Sequence, residues 1–150
     1  MEKKGTLNYE EINSIRKHTY YTYSVLSKIN GLEQIATWAS YHHERQDGNG
    51  YPFHIGAESF PLPARIMAVA DIVTALTEDR PYRLGMNKED TMKILFSMVE
   101  DGGIDRNVVE TANANFSRIN AARTKANLEA RKEYDAFNNT TILDYTEIAI

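Results

Sequence analysis

The chain has 150 residues and a net charge of −4, a length that predicts one domain and a charge that argues against binding to a nucleic-acid polymer. It has no cysteine, which excludes disulfides, thiolate metal sites and a cysteine nucleophile. No apolar run approaches the roughly 18 residues that span a bilayer, and the first residues contain no hydrophobic signal region. The composition therefore predicts a cytoplasmic protein without a membrane partner.

Two helices are predicted in the first part of the chain. Asn8 with Glu11 forms a capping-box start, and apolar residues at helical spacing continue to Gly31, a residue type that stops helices. A second helical pattern begins at Leu32 and runs to the histidine pair at 42–43. The first predicted helix contains His18, and the second ends near His42 and His43.

A long loop is predicted over 45–62. Its Asp47-Gly48-Asn49-Gly50 run cannot continue a helix, and Pro52 fixes the exit of the turn. Loops of this length are usually functional or disordered. A third helix is predicted from near Pro63, with Asp71 beside its apolar stripe.

Two further helices are predicted after the third, so the fold class is an all-α bundle of about five helices. Asn87 starts the fourth helix, and Gly102-Gly103 stops it. Asp105 starts a long fifth helix that is alanine-rich and charged in its second half. We expect this helix to end at Asn138, which gives a helical domain over 1–137 and a tail over 138–150.

The side chains that could bind a metal are three histidines and one aspartate: His18, His42, His43 and Asp71. Imidazoles bind Fe, Mn, Zn and similar ions, and helices of a bundle can supply such ligands to its core. Adjacent residues of a regular helix point about 100° apart. His42 and His43 would therefore serve two neighbouring ions, or lie where the helix unwinds.

Arg80 and Arg83 follow the third helix and are candidates for binding phosphate, because the planar guanidinium group pairs with phosphate through two hydrogen bonds. A surface salt bridge is the alternative for this pair. Arg65 is expected to form a structural ion pair.

These motifs resemble the C-terminal half of the HD-GYP domain, a family of metal-dependent phosphodiesterases that degrade cyclic di-GMP. The resemblance covers about 1–118 and is strongest over 42–83. It implies an HD-superfamily helical bundle, a divalent metal such as Fe or Mn, and a cyclic di-GMP ligand or a related nucleotide. It implies metal binding by His18, His42, His43 and Asp71, ligand binding by Arg80, Arg83 and Tyr51, and ordering of the loop by Glu44, Asp47, Gly48, Gly50 and Pro52.

The sequence also departs from the family pattern. It contains no His-Asp dyad, which we expect to lie upstream of Met1, and threonines stand at 19, 22 and 74 where the family has proline, glycine and an acidic residue. We therefore expect partial or no metal occupancy and weak or absent hydrolysis. The alternative is a signalling module without catalysis, which binds a cyclic dinucleotide or a diguanylate cyclase domain through the Gly-Tyr-Pro loop.

The second half of the fifth helix suggests self-association. Leu128, Tyr134 and Phe137 are apolar positions in an otherwise polar segment that is too long to be buried in one small domain. They predict a homodimer; the alternative is that this helix stands in place of N-terminal helices.

Overall fold

The computed structural model describes residues 8–80 and 83–147, with side chains up to residue 138. In these residues the protein is all-α, as predicted, and a short 3-10 helix, Ala57–Ser59, is the one helical turn of the long loop. The helices are α1 Tyr9–Leu26, α2 Glu33–Ser40, α3 Leu62–Thr77, α4 Lys88–Glu100, α5 Arg106–Ala114 and α6 Phe116–Glu147. In the described part of the chain, no helix is long and apolar enough to cross a membrane.

The three predicted helix caps are confirmed. The Asn8 side chain accepts a hydrogen bond from the Glu11 N–H (2.9 Å), and the Glu11 carboxylate accepts one from the Asn8 N–H (2.7 Å). Asn87 caps α4 by accepting from the Asp90 N–H at 2.9 Å, and Asp105 caps α5. Each such cap stabilises its helix by about 1 kcal/mol, so local sequence determines where these helices begin.

The helices pack in chain order, α1 on α2, α2 on α3 and α3 on α4. One core cluster is formed by the buried residues Phe60, Ala64 and Ala68. The two alanines lie on α3, and their small side chains let neighbouring residues approach this helix closely. The larger residues Trp38, Tyr41 and Ile55 pack against the cluster. This packing joins the end of α2, the long loop and α3 into one body.

An ion pair ties the start of α3 to the start of α5, as expected for Arg65. Its guanidinium Nη1 lies 3.0 Å from Asp105 Oδ2, which also accepts a bond from Gln46 Nε2 at 3.3 Å. Burial on its own would raise the pKa of Asp105. The bond from Arg65 and the N–H groups of Asn107 and Val108 outweigh burial and hold that pKa below its ordinary value.

The last part of the chain differs from the sequence-based expectation in two ways. The predicted fifth helix is two helices, because a turn at Asn115 separates α5 from α6. The prediction that the helix ends at Asn138 is wrong, since α6 continues to Glu147. Asn and Thr lower helix propensity by only a few tenths of a kcal/mol each, which does not stop a helix as Gly or Pro would.

The division into two compact units falls between Asn113 and Ala114. The expected domain boundary at 137/138 stays a prediction, and the end of the expected tail, 148–150, lies outside the described residues.

Candidate metal centre and its loop

Three histidines from two parts of the chain lie together. α1 supplies His18, and the turn directly after α2 supplies His42 and His43. One ring nitrogen of each lies within 4.8 Å of the others. His42 and His43 have ring centroids only 4.2 Å apart. Of the two arrangements left open by the sequence, the pair adopts the one in which the helix has already ended.

Backbone carbonyls orient two of these rings. His18 Nδ1 is 2.6 Å from the carbonyl oxygen of Ile15, and His42 Nδ1 is 2.6 Å from that of Ala39. Because a carbonyl oxygen only accepts, both Nδ1 atoms donate in these bonds, which leaves the Nε2 lone pairs of the neutral rings free to bind a metal. A bond from the second ring nitrogen to a carbonyl is typical of metal-binding histidines.

The two Nε2 atoms face each other at 3.2 Å. Two nitrogens that bind the same tetrahedral ion at their usual 2.0–2.1 Å lie roughly 3.3 Å apart. Two lone pairs at this separation also repel each other unless a cation or a proton lies between them. The geometry of His18 and His42 therefore fits a shared divalent cation.

The third imidazole is held neutral. The pKa of His43 is lowered to about 4, chiefly by burial and in part by the neighbouring His42 and His18, while the charge of Asp71 acts in the opposite direction. A metal binds the neutral imidazole, so burial keeps His43 in the form that can act as a ligand.

Asp71 is near this cluster but outside its tightest group. Its negative charge acts to raise the pKa values of both His43 and Tyr51, although burial outweighs it at His43 and leaves that pKa lowered. Among the described residues, the set of ligand atoms within 4.8 Å of one another contains histidines only. The exposed carboxylate on α3 thus stands beside the three imidazoles.

A buried glutamate orders the loop next to the histidines. Glu44 is 2% exposed, and its two carboxylate oxygens accept hydrogen bonds from the N–H groups of Phe53 (2.6 Å) and Ile55 (3.2 Å). Earlier in the loop, Asp47 accepts a bond from the Asn49 N–H at 2.9 Å. The side-chain bond from Arg45 holds the pKa of Asp47 far below its ordinary value. These carboxylates accept hydrogen bonds from the loop backbone, and the ordering role expected for them stays a prediction.

The Gly-Tyr-Pro segment contacts His43 through one backbone hydrogen bond and one ring stack. The Tyr51 N–H donates to the His43 carbonyl at 3.1 Å, and the two rings stack with centroids 4.9 Å apart. A Cβ atom on Gly50 would lie 2.3 Å from the backbone nitrogen of Arg45, so only glycine fits there. Gly48 has a φ of +77°, which glycine adopts readily. The peptide bond between Tyr51 and Pro52 is cis.

One residue at this site was missed by the sequence analysis. The guanidinium carbon of Arg16 lies 5.0 Å from the centroid of the Tyr51 ring, a cation–π arrangement. Arg16 is two residues before His18, and residues at that spacing point away from each other on a helix. Helical spacing therefore does not predict that Arg16 lies at the site. The contact with Tyr51 depends instead on the length of the arginine side chain.

The two arginines after α3 differ in their contacts. The Arg83 guanidinium donates to the carbonyl oxygens of Ala75, Leu76 (3.1 Å) and Leu84 (3.3 Å), so it caps the end of α3. Arg80 Nη2 lies 3.3 Å from Glu78 Oε2, and both side chains are about 40% exposed. A ligand-binding role for either arginine stays a prediction.

Two of the three threonine departures, at 19 and 22, lie on α1 near His18, and the third, Thr74, lies on α3. Thr19 is fully buried and donates its hydroxyl hydrogen to the Arg16 carbonyl at 2.9 Å. Thr22 lines an open, largely apolar pocket of about 450 Å³ beside His18, together with Tyr21, Val25 and Leu26. α1 is continuous through both threonines.

The chain matches a known domain family and several known proteins. The HD domain family model matches residues 1–108. The chain is 37% identical over 110 residues to the 3'3'-cGAMP-specific phosphodiesterase 1 of Vibrio cholerae. It is 39% identical over 97 residues to the cyclic di-GMP phosphodiesterase response regulator RpfG of Xanthomonas campestris, and 35% identical over 98 residues to a cyclic di-GMP phosphodiesterase of Thermotoga maritima.

These alignments cover 73%, 63% and 64% of this chain, respectively. They span only about a quarter of the relatives, 26%, 26% and 27% of their length. HD domains are metal-dependent, and the matched region contains the three-histidine cluster. The family model covers well over half of the 150 residues, and the chain therefore belongs to the HD domain family, as an HD-GYP-type member of the HD superfamily.

Proposed function

We propose that this chain carries the metal and nucleotide site of an HD-GYP-type phosphohydrolase whose substrate class is the cyclic dinucleotides, such as cyclic di-GMP. The observation that supports this proposal most strongly is the 3.2 Å separation of the His18 and His42 Nε2 atoms, with both Nδ1 atoms bonded to backbone carbonyls. This arrangement suits a divalent cation. The activities for which the relatives are named supply the substrate class.

In this proposal His18, His42 and His43 hold a divalent ion such as Fe or Mn, and Asp71 completes the set from α3. The bound ion supplies Lewis acidity, a lowered pKa for water and compensation of the phosphate charge. The backbone bonds at Nδ1 orient the imidazoles, and burial keeps His43 neutral. Asp71 adds a negative charge, which offsets the positive charge of the ion.

Tyr51 and Arg80 are the proposed contacts to the nucleotide. Tyr51 is fixed against His43 by stacking and by its backbone bond, so its ring can form one wall of a ligand site. Arg80 is exposed, and among the described ion pairs it forms only the one with Glu78. A phosphate could replace Glu78 as its partner. Arg83 already donates to three carbonyls, and its proposed part is to stabilise the end of α3.

Hydrolysis by this chain is proposed to be slow. The 150 residues contain no His-Asp pair, which supplies a bridging carboxylate in the family this chain resembles. The described cluster of close ligand atoms contains imidazoles only. Three imidazoles and one carboxylate offset less positive charge than a site with several carboxylates does, so this set suits one ion better than two. Binding of metal and nucleotide is therefore expected to exceed turnover.

The second candidate is a signalling module without catalysis, with the Gly-Tyr-Pro loop as its contact surface. The specific observation in its favour is that the buried Glu44 side chain accepts hydrogen bonds from the loop backbone at Phe53 and Ile55, while the Phe53 residue remains 37% exposed. A rigid loop with an exposed aromatic side chain loses little entropy on binding. A diguanylate cyclase domain is the proposed partner.

A homodimer through α6 is proposed separately. Leu128 is 54% exposed, and Tyr134 and Phe137 are 65% and 67% exposed. Light scattering of the purified chain tests it, and a monomer across the concentration range contradicts it.

The test of the proposed function has two stages. Elemental analysis of the chain purified without chelator should give about one divalent ion per chain, and calorimetry with cyclic di-GMP should then show binding that a chelator removes. Hydrolysis is followed by chromatography of the products. Metal and nucleotide binding with slow turnover supports the proposal. A chain that binds neither contradicts it, and binding to a diguanylate cyclase domain without nucleotide binding favours the second candidate.

A further inference from the structure

We propose that Arg16 is a phosphate-binding residue of this site, a role that the sequence motifs do not assign to it. The inference rests on the proposed function, because it names one more contact to the same anionic ligand. Two contacts of the Tyr51 ring link α1 to the histidine cluster. The Arg16 guanidinium lies over this ring, and the ring stacks on that of His43.

The distances place a positive charge beside the candidate metal centre. The Arg16 guanidinium carbon is 5.0 Å from the Tyr51 ring centroid, and that centroid is 4.9 Å from the centroid of the His43 ring. His43 in turn contributes one of the ligand atoms that lie within 4.8 Å of one another. By these two distances the Arg16 guanidinium carbon lies at most about 10 Å from the His43 ring centroid, a gap that a bound phosphate together with a rotation of the long, exposed arginine side chain would bridge.

The charge of Arg16 is also available. Within residues 8–80 and 83–138, no carboxylate lies within ion-pair distance of its guanidinium. A guanidinium group without a carboxylate partner and oriented by an aromatic ring is well prepared to form two hydrogen bonds to a phosphate.

The loop does not depend on Arg16 for its position. Tyr51 is held by the bond from its N–H to the His43 carbonyl and by ring stacking, and Glu44 binds the backbone at 53 and 55. Loss of the guanidinium should leave these contacts in place. A purely structural role for Arg16 therefore predicts effects on folding, whereas a ligand role predicts effects on anion affinity.

The experiment compares Arg16→Gln with Lys17→Gln in the full chain. Lys17 is an exposed neighbour on α1, so both variants lose one positive charge from the same helix turn. Inorganic phosphate is titrated into each protein by calorimetry in the presence of Mn²⁺, at two salt concentrations. We expect Arg16→Gln to bind phosphate about ten-fold more weakly, with a smaller salt dependence, and Lys17→Gln to bind like the unaltered chain.

Two further measurements separate a ligand role from a structural one. Arg16→Lys keeps the charge and should recover part of the affinity, and the amount of Mn²⁺ bound by Arg16→Gln should equal that of the unaltered chain. The inference is overturned if the unaltered chain does not bind phosphate, if Arg16→Gln binds it equally well, or if Arg16→Gln also loses Mn²⁺.

A second titration, with cyclic di-GMP, keeps the two proposals distinguishable. Phosphate binding that depends on Arg16, without binding of cyclic di-GMP, supports the Arg16 inference and contradicts the proposed substrate class. Cyclic di-GMP binding of equal strength in Arg16→Gln and in the unaltered chain supports the proposed function and overturns the role of Arg16.

Discussion

The imidazoles of His18 and His42 face each other through Nε2 atoms 3.2 Å apart, while each Nδ1 donates to a carbonyl three residues earlier in its own segment. The backbone thereby fixes both the tautomer and the direction of each ring. The two segments meet because α1 packs against α2. The fold thus brings two ring nitrogens face to face, and either a cation or a shared proton between them would offset the repulsion of their lone pairs.

The first prediction concerns this pair. His18→Asn should lower the affinity for divalent metal at least ten-fold, because the shorter side chain cannot reach the position of Nε2. Since His18 is exposed, the helical circular dichroism should change little. The matched control is His54→Asn, an exposed loop histidine at φ 56°, where asparagine is readily accommodated. Equal metal affinity in both variants, measured by competition with a chelating dye, would remove His18 from the site.

The second prediction concerns the backbone of the loop. Gly50→Ala should destabilise the chain by about 2 kcal/mol or more, because its Cβ would lie 2.3 Å from Arg45 N and 2.4 Å from the Glu44 Cα, both backbone atoms that cannot turn aside. Gly56→Ala is the control, since the nearest atom to its Cβ is 4.0 Å away. Urea denaturation checks both variants, and Gly50→Ala with the midpoint of Gly56→Ala would contradict the prediction.

Sequence reasoning predicted those features that depend on local chemistry. The starts at Asn8, Asn87 and Asp105 were found because a capping side chain binds N–H groups within three residues of itself. The loop was found because its Gly and Asn residues cannot continue a helix. The positions of the histidines came from the family resemblance, and their meeting point depends on the packing of α1 on α2.

The features that sequence reasoning missed or left open depend on tertiary contacts or on small differences in propensity. Whether 42 and 43 are helical depends on where α2 ends, and α2 ends at Ser40 without a glycine to mark it. The contact of Arg16 with Tyr51 and the bonds of Arg83 to the end of α3 depend on the reach of a flexible side chain. The turn at Asn115 was missed since one asparagine is a weak signal in a helical pattern.

The third prediction separates the two arginines after α3. Arg83→Ala should destabilise the chain by about 1–3 kcal/mol, because it leaves the carbonyls of Ala75 and Leu76 without their charged donor. Arg80→Ala should change stability by less than about 0.5 kcal/mol, since its pair with Glu78 is exposed, and should instead weaken cyclic di-GMP binding. Thermal denaturation and calorimetry measure the two effects. Unchanged nucleotide affinity in Arg80→Ala would end its assignment as a ligand contact.

The last prediction concerns pH and the metal-free chain. The pKa of His43 falls from its ordinary 6.5 to about 4 on folding, chiefly through burial. Between these values the unfolded chain binds a proton at this position that the folded chain does not, so stability is fully present above pH 6.5 and decreases as pH falls toward 4. The full shift corresponds to about 3 kcal/mol. The ring is only half-buried, and screening by solvent should reduce the loss to about 1–2 kcal/mol.

Urea denaturation of the chelator-treated chain at pH values from 7 to 4 measures this loss. His43→Gln should reduce the pH dependence of the free energy of unfolding between pH 7 and 4, because the titrating group is gone. His54→Asn should keep the pH dependence of the unaltered chain. Adding Mn²⁺ at pH 7 should raise the stability of the unaltered chain more than that of His43→Gln, since a ligand that binds the folded state alone stabilises it. A metal-free chain whose stability is flat across the window would show that His43 is not held neutral by burial.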